Sequence, residues 1–175
     1  DAVYNSVFYD AITDISQGKK SAKDLSVSLK QEKESFGTET KSIRFTEMKG
    51  EKVSEGFGQA DRSFAVFSYL LPDFPLLLNG QEAAFDNNLD AFEKGAIDWK
   101  NYELQAFYAQ LAKLKHDNQA LASGDFGGKM QDITNSEQQD IFAFSRTKNG
   151  NKIVAVFNLS NKLLIYNLLI KYIKS

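Results

Sequence analysis

Residues 59–80 leave this chain few ways to fold. Phe64, Ala65, Val66, Phe67, Tyr69 and Leu70 put apolar side chains on most faces of a helix, so a buried helix is predicted over 59–71. Pro72 and Pro75 end it, because proline lacks an amide hydrogen and pushes the residue before it out of helical backbone. A continuous apolar run of strand length follows at 74–78, and Asn79-Gly80 breaks it. A run without polar alternation suits a strand covered on both faces, as in a parallel sheet. A buried helix feeding such a strand is the repeating unit of an α/β fold.

The flanking segments extend this pattern. Tyr4, Val7, Phe8, Ala11, Ile12 and Ile15 recur at helical spacing, and Gly18 follows as a stop. Asp1 leads straight into that amphipathic segment, so no signal-peptide pattern opens the sequence as read. Ser21 and Asp24 form a capping pair for a second helix carrying Leu25 and Leu29. The polar residues 30–41 read as a loop, and Ile43 and Phe45 as a short strand. Residues 82–99 read as a long loop rich in carboxylates. Leu104, Phe107, Tyr108, Leu111 and Leu114 mark an amphipathic helix, with Lys113, Lys115 and His116 suited to the dipole in its last turn.

The pattern then changes. Residues 141–146 and 152–159 are strand-like, and Asn149-Gly150 between them signals a tight hairpin. Alternating helices and strands followed by strands alone imply two architectures, with the boundary near Asp117 and domains of 1–117 and 118–175.

Composition excludes several functions. A net charge of -2, from 21 basic and 23 acidic residues, argues against nucleic acid as a partner, since phosphate binding needs a basic surface. Cysteine is absent, which removes disulfides, thiolate metal sites and a cysteine nucleophile. A single histidine, His116, excludes a His-rich metal site, and its position at a helix end does not suit a catalytic triad. The longest apolar stretch, 163–170, is too short to span a bilayer. No metal or other cofactor is expected, and nothing here identifies a compartment.

Several motifs, in order, carry a family resemblance. Phe74-Pro75-Leu76-Leu77-Leu78-Asn79-Gly80-Gln81-Glu82 resembles the end of the eighth barrel strand in glycoside hydrolase family 13, the α-amylase family. Pro75, Gly80 and Glu82 match that family's pattern, while Asp73 stands where it has glycine. Ile97-Asp98-Trp99 resembles the lead into its last barrel helix, and Leu111, Leu114, Asn118, Ala120 and Leu121 resemble that helix's ending. Residues 142–146 and 154–160 are similar to paired strands of its C-terminal β-sandwich. Arg44-Phe45-Thr46-Glu47 is similar to the lead-in to the seventh strand.

The resemblance implies an α/β fold: the last strand-helix units of an incomplete (β/α)8 TIM barrel, followed by part of a β-sandwich. It implies a parent activity on α-glucosidic bonds in starch, maltooligosaccharides or related sugars. It also implies that the chain alone is inactive. The family's nucleophile and general acid follow barrel strands four and five, and this chain is expected to begin near strand six. The family's third carboxylate lies in an Asn-His-Asp motif, where Met48, Lys49 and Gly50 stand here. Retaining glycosidases need two carboxyl groups about 5–5.5 Å apart across the scissile bond. No catalytic residue is therefore expected.

Gln81, Glu82 and Trp99 are the candidate substrate-binding residues. Glu82 sits at the strand end where barrel enzymes build their sites, and either lines a sugar subsite or accepts backbone hydrogen bonds in its own loop. Trp99 either stacks on a sugar or packs between elements. Asp86, Asp90, Glu93 and Asp98 follow no EF-hand spacing and read as a solvated acidic loop rather than a calcium site. The readings left open are an inactive fragment binding an α-glucan or oligosaccharide, a non-catalytic carbohydrate-binding module, and a module completing a barrel whose N-terminal half another chain supplies. The tail, residues 162–173, combines high β-propensity with few charges. It is expected to pair with the 152–159 strand and leave an apolar edge or face exposed.

Overall fold

The computed structural model describes residues 1–37, 39–47, 61–84, 97, 99, 102, 104–165 and 167–169. Met48, Lys49, Gly50, Glu51, Asp86, Asp90, Glu93 and Asp98 lie outside them, as do residues 59 and 60 of the expected buried helix and residues 166 and 170–175 of the tail.

Three short strands form a parallel sheet in the order β1 (Ala2–Tyr4), β2 (Lys41–Arg44), β3 (Phe74–Pro75). Helices α1 (Ser6–Ser16) and α2 (Ala22–Phe36) connect β1 to β2, and α3 (Asp61–Leu70) precedes β3. Asn5 caps α1, accepting from the Val7 amide at 2.9 Å and donating to Ser42 Oγ at 3.2 Å. Gly18, at φ +70°, turns the chain away after α1, a conformation that favours glycine. Ser21 and Asp24 form the expected capping box of α2.

Three sequence expectations need correction. Residues 30–36 are helix, not loop. Lys30, Gln31, Glu32, Lys33 and Glu34 are good helix formers, and Glu32 is buried against Arg44, so its charge is matched inside the fold. Strand β1 was not expected, since three residues are too few to show alternation and its partner lies far along the chain. The run 74–78 pairs only at its start: Phe74 and Pro75 join the ladder, and Leu76 donates to the Arg44 carbonyl at 2.7 Å.

The two faces of this sheet differ. Ser42 and Arg44 point into α1 and α2. Arg44 makes a two-pronged bond to Glu32 at 2.7 and 3.0 Å and lies over the Phe8 ring. On the opposite face Tyr4, Ile43 and Phe74 stand directly beside one another in register. Tyr4 is 71% exposed and Phe74 42%. No described element covers that row.

Helix α4 (Gln105–Asp117) leads through two single helical turns to β4 (Met130–Asp132), β5 (Thr134–Asn135), β6 (Ile141–Lys148), β7 (Asn151–Asn158) and β8 (Leu168–Leu169). Strands β4, β6 and β7 form an antiparallel sheet in that order, and β5 pairs with β8. Asn149 and Gly150, both at positive φ, make the two-residue hairpin turn that the sequence signalled.

One core joins both regions. Phe8, Ile12, Leu25 and Phe67 from the helices pack with Phe142, Phe144 and Phe157 from β6 and β7. The Phe67 ring lies 5.3 Å from Phe142 and 4.6 Å from Phe157, within the range of favourable ring pairs. Arg146 of β6 crosses the junction fully buried. It donates to the carbonyls of Leu70 and Leu71 at the end of α3, of Ala122, and of Gly128, all at 2.9–3.0 Å. Those α3 carbonyls have no partner within their own helix. A side chain on Gly127 would lie 2.0 Å from the Ala122 carbonyl oxygen and 2.4 Å from Arg146 Nη2, so only glycine fits there.

The tail also departs from expectation. It pairs with β5 rather than with β7. Asn158 Oδ1 accepts from the Ser160 amide and hydroxyl, and its amide donates to the Lys162 carbonyl, so a tight turn diverts the chain from β7. Leu164 and Leu168 then pack on Ile133, Ile141 and Ala143, whereas Leu163 and Ile165 are fully exposed. The expected apolar exposure is therefore present, on a different path.

Candidate functional site

The carboxyl ends of β2 and β3 meet at one place. From β2 the chain continues through Phe45, Thr46 and Glu47; from β3 it reaches a single helical turn at Gln81–Ala83. Gly80, at φ +100°, makes the sharp entry into that turn. Gln81 is buried and bridges the strand ends, donating to Thr46 Oγ1 at 3.0 Å and accepting from the Leu78 amide at 3.2 Å. The Glu82 carbonyl accepts from the Leu104 amide at 3.1 Å, tying the turn to the start of α4.

Thr46, Glu47, Asp61, Arg62, Gln81, Leu104, Phe107 and Tyr108 enclose a cavity of about 20 Å³. That is room for a water molecule, far below the roughly 300 Å³ at which ligand pockets begin. Burial pushes the Glu47 carboxyl up to about 7, with Gln81 opposing and the charge of Asp61 adding to the rise. Burial likewise pushes Asp61 up to about 6. Tyr108 is pushed upward by burial and then by neighbouring Glu47. One oxygen of Asp61 and one of Glu82 are buried without a hydrogen-bond partner among the described residues. The carboxyls of Glu47 and Asp61 can exchange protons near neutrality, but the cavity cannot admit a glycosidic bond between them.

The structure separates the three sequence candidates. Gln81 lines this cavity, but its amide is engaged in the scaffold. Glu82 does not line it. Trp99 does not line it either: it is exposed and stacks on Tyr102, with ring centroids 6.2 Å apart and planes 26° apart. Glu47 and Asp61 were not among the candidates. Glu47 stood in the motif at 44–47, but nothing in sequence shows that a helix beginning fourteen residues on brings Asp61 to the same cavity. His116 is exposed at the end of α4, with Nδ1 3.2 Å from Asp117 Oδ1. Among the described residues no group of three carboxylate or histidine side chains is placed to hold a metal, and no helix is long and apolar enough to cross a membrane.

This architecture is one shared with α-amylase-type enzymes. The chain superposes on a maltogenic α-amylase, AmyB, from Thermotoga neapolitana with a TM-score of 0.76 and 21% identity, over 91% of this chain and 38% of that one. It superposes on the cyclic α-maltosyl-(1→6)-maltose hydrolase of Arthrobacter globiformis with a TM-score of 0.72 and 17% identity, over 90% and 37%. An α-amylase from Lactobacillus plantarum gives 0.70 and 14%, over 89% and 37%. The chain thus spans less than two fifths of the length of each of these three proteins. No family model and no curated protein sequence matches it. The resemblance read from the motifs holds at the level of the fold.

Proposed function

We propose that this chain is the C-terminal part of an α-amylase-type glycoside hydrolase acting on α-glucans. Residues 1–117 supply the last strand-helix units of its (β/α)8 barrel and residues 118–175 part of its β-sandwich. The observation that carries this reading is the row of Tyr4, Ile43 and Phe74, which no described element covers. Parallel sheets are stable when both faces are covered, and a barrel covers that face with its own interior. The chain binds α-glucan but does not cleave it alone. Glu47 and Asp61, which line the cavity at the strand ends, have room between them for little more than water.

The test is the release of reducing sugar from starch and maltooligosaccharides by the pure 175-residue chain, with none expected. Reproducible release sinks the reading. Lys49→His with Gly50→Asp is expected to leave the chain inactive, since it supplies neither nucleophile nor acid. A second reading, a carbohydrate-binding module using Gln81, Glu82 and Trp99, is favoured by the exposure of Trp99 and by a buried Glu82 oxygen with no hydrogen-bond partner among the described residues. A barrel-completing role predicts that mixing with an N-terminal barrel half covers Tyr4 and Phe74, measured as lost hydrogen exchange along β1 and β3.

A further inference from the structure

Lys115, in the last turn of α4, bonds to other segments rather than to its own helix. Its Nζ donates to the Leu121 carbonyl at 2.8 Å and to the Tyr69 carbonyl at 3.3 Å. Arg146 takes the next carbonyls along the same two segments, Ala122 on one and Leu70 and Leu71 on the other. The two basic side chains therefore stand side by side on one row of carbonyls. Among the described residues no carboxylate lies within ion-pair distance of Lys115, whereas Lys20, Lys30, Lys41, Lys113 and Lys162 each have one.

An ammonium has three N–H groups to satisfy. Two carbonyls match a neutral amine instead: it donates twice and keeps a lone pair at the fourth corner of the nitrogen. Burial and a like charge alongside both favour that form. Burial, then the charge of Arg146, draws Lys115 down to about 8; Asp73, just before β3, opposes, and Arg44 of β2 adds to the fall. The Tyr69 phenol, raised by burial, stays neutral in this range. Asp117 of α4 is bonded to Lys113 and His116. Desolvation and a neighbouring cation are the two devices that make a lysine nucleophilic.

We propose that Lys115 is a nucleophilic amine and the chain's principal site of acylation by small acyl phosphates. This does not depend on the α-glucan reading. The Nζ lone pair attacks the acyl carbon. The N–C bond forms, the C–O bond to phosphate breaks, phosphate leaves with the electron pair, and the nitrogen gives its surplus proton to water. The side chain is half-buried, which favours a small donor, and the neighbouring guanidiniums attract an anionic one. The product amide keeps a single N–H for two carbonyls. Acylation therefore releases one of the two bonds that tie α4 to the segments at Tyr69 and Leu121.

The test is acetyl phosphate added to the full chain at about pH 8, with the modified lysines identified and timed by peptide mass spectrometry. Lys115 is expected to be acetylated about 10-fold faster than the exposed Lys23 and Lys33, because its larger free-amine fraction outweighs the lower nucleophilicity that accompanies lower basicity, as in thiols. Its rate should level off above about pH 8. In urea, where the neighbouring segments are gone, the preference should vanish. A Lys115 rate no greater than those of Lys23 and Lys33 overturns the proposal. So does a rate that climbs as steeply well above that pH, or a preference that survives unfolding.

Discussion

Replacing Arg146 with methionine is expected to destabilise the chain more than any other single change outside the aromatic core. The guanidinium is fully buried and carries four hydrogen bonds to carbonyls from three segments: the end of α3, the turn at Ala122, and Gly128. Methionine fills much of the volume and donates nothing. Each carbonyl left buried without a donor costs about 1–3 kcal/mol. Part of that loss is offset, because the arginine buries its charge with no carboxylate bonded to it among the described residues, and burial draws it down to about 10, with the charge of Asp73 opposing. A net cost of about 4 kcal/mol follows, the low end of four such losses. For a chain of this size that lowers the melting temperature by about 8–16 °C, against a total stability of about 5–15 kcal/mol. Arg146→Lys should fall between, since one ammonium cannot reach three sides at once. Thermal and urea unfolding followed by circular dichroism measure both. A melting temperature for Arg146→Met within about 2 °C of the parent would refute the claim that this residue locks α3 to the antiparallel sheet.

Three further outcomes are expected. Glu47, raised from 4.5 to about 7, binds its proton more tightly folded than unfolded, so stability should fall as pH rises between those values. Glu47→Gln should flatten that slope in urea unfolding, and an unchanged slope would show that the carboxyl is not desolvated. Glu32→Ala leaves Arg44 buried with a lost partner and should cost about 3–5 kcal/mol, whereas Glu32→Leu with Arg44→Met should cost less than the sum of the two singles; additive costs in a double-mutant cycle count against a coupled pair. Truncation after Asn161 removes the exposed Leu163 and Ile165 together with the β5–β8 pairing. It should reduce self-association in sedimentation at a modest loss of melting temperature, and a shortened chain that unfolds at room temperature would make the tail an integral part of the core.

Local rules made several elements readable without coordinates. The capping box at Ser21 and Asp24, the hairpin at Asn149-Gly150 and the amphipathic face of α4 each depend on residues a few positions apart. The prolines at 72 and 75 end α3 for a reason written into their rings. The motifs at 44–47, 74–82, 111–121 and 142–160 pointed to the likeness to α-amylase-type enzymes that the superpositions show, because each records a local backbone shape.

Contacts between distant segments were not readable in this way. The polar stretch at 30–36 looks like loop until Arg44 is seen beside Glu32 and supplies the charge that lets it be buried. Arg146 reads as an ordinary strand residue, since the carbonyls it holds lie about twenty and seventy-five residues away along the chain. The tail's choice of β5 over β7 turns on a side-chain-closed turn at Asn158. Likewise, the composition of 44–61 reveals no shared cavity; Glu47 and Asp61 meet only because β2 ends and α3 begins at the same edge of the sheet. Sequence thus determined the helices, the turns and the likeness to α-amylase-type enzymes, through interactions that close within one turn or one hairpin. Tertiary structure decided which charges are buried, which carboxyls share a cavity and which aromatic rings face solvent, because those energies depend on what other segments bring to within a few ångströms.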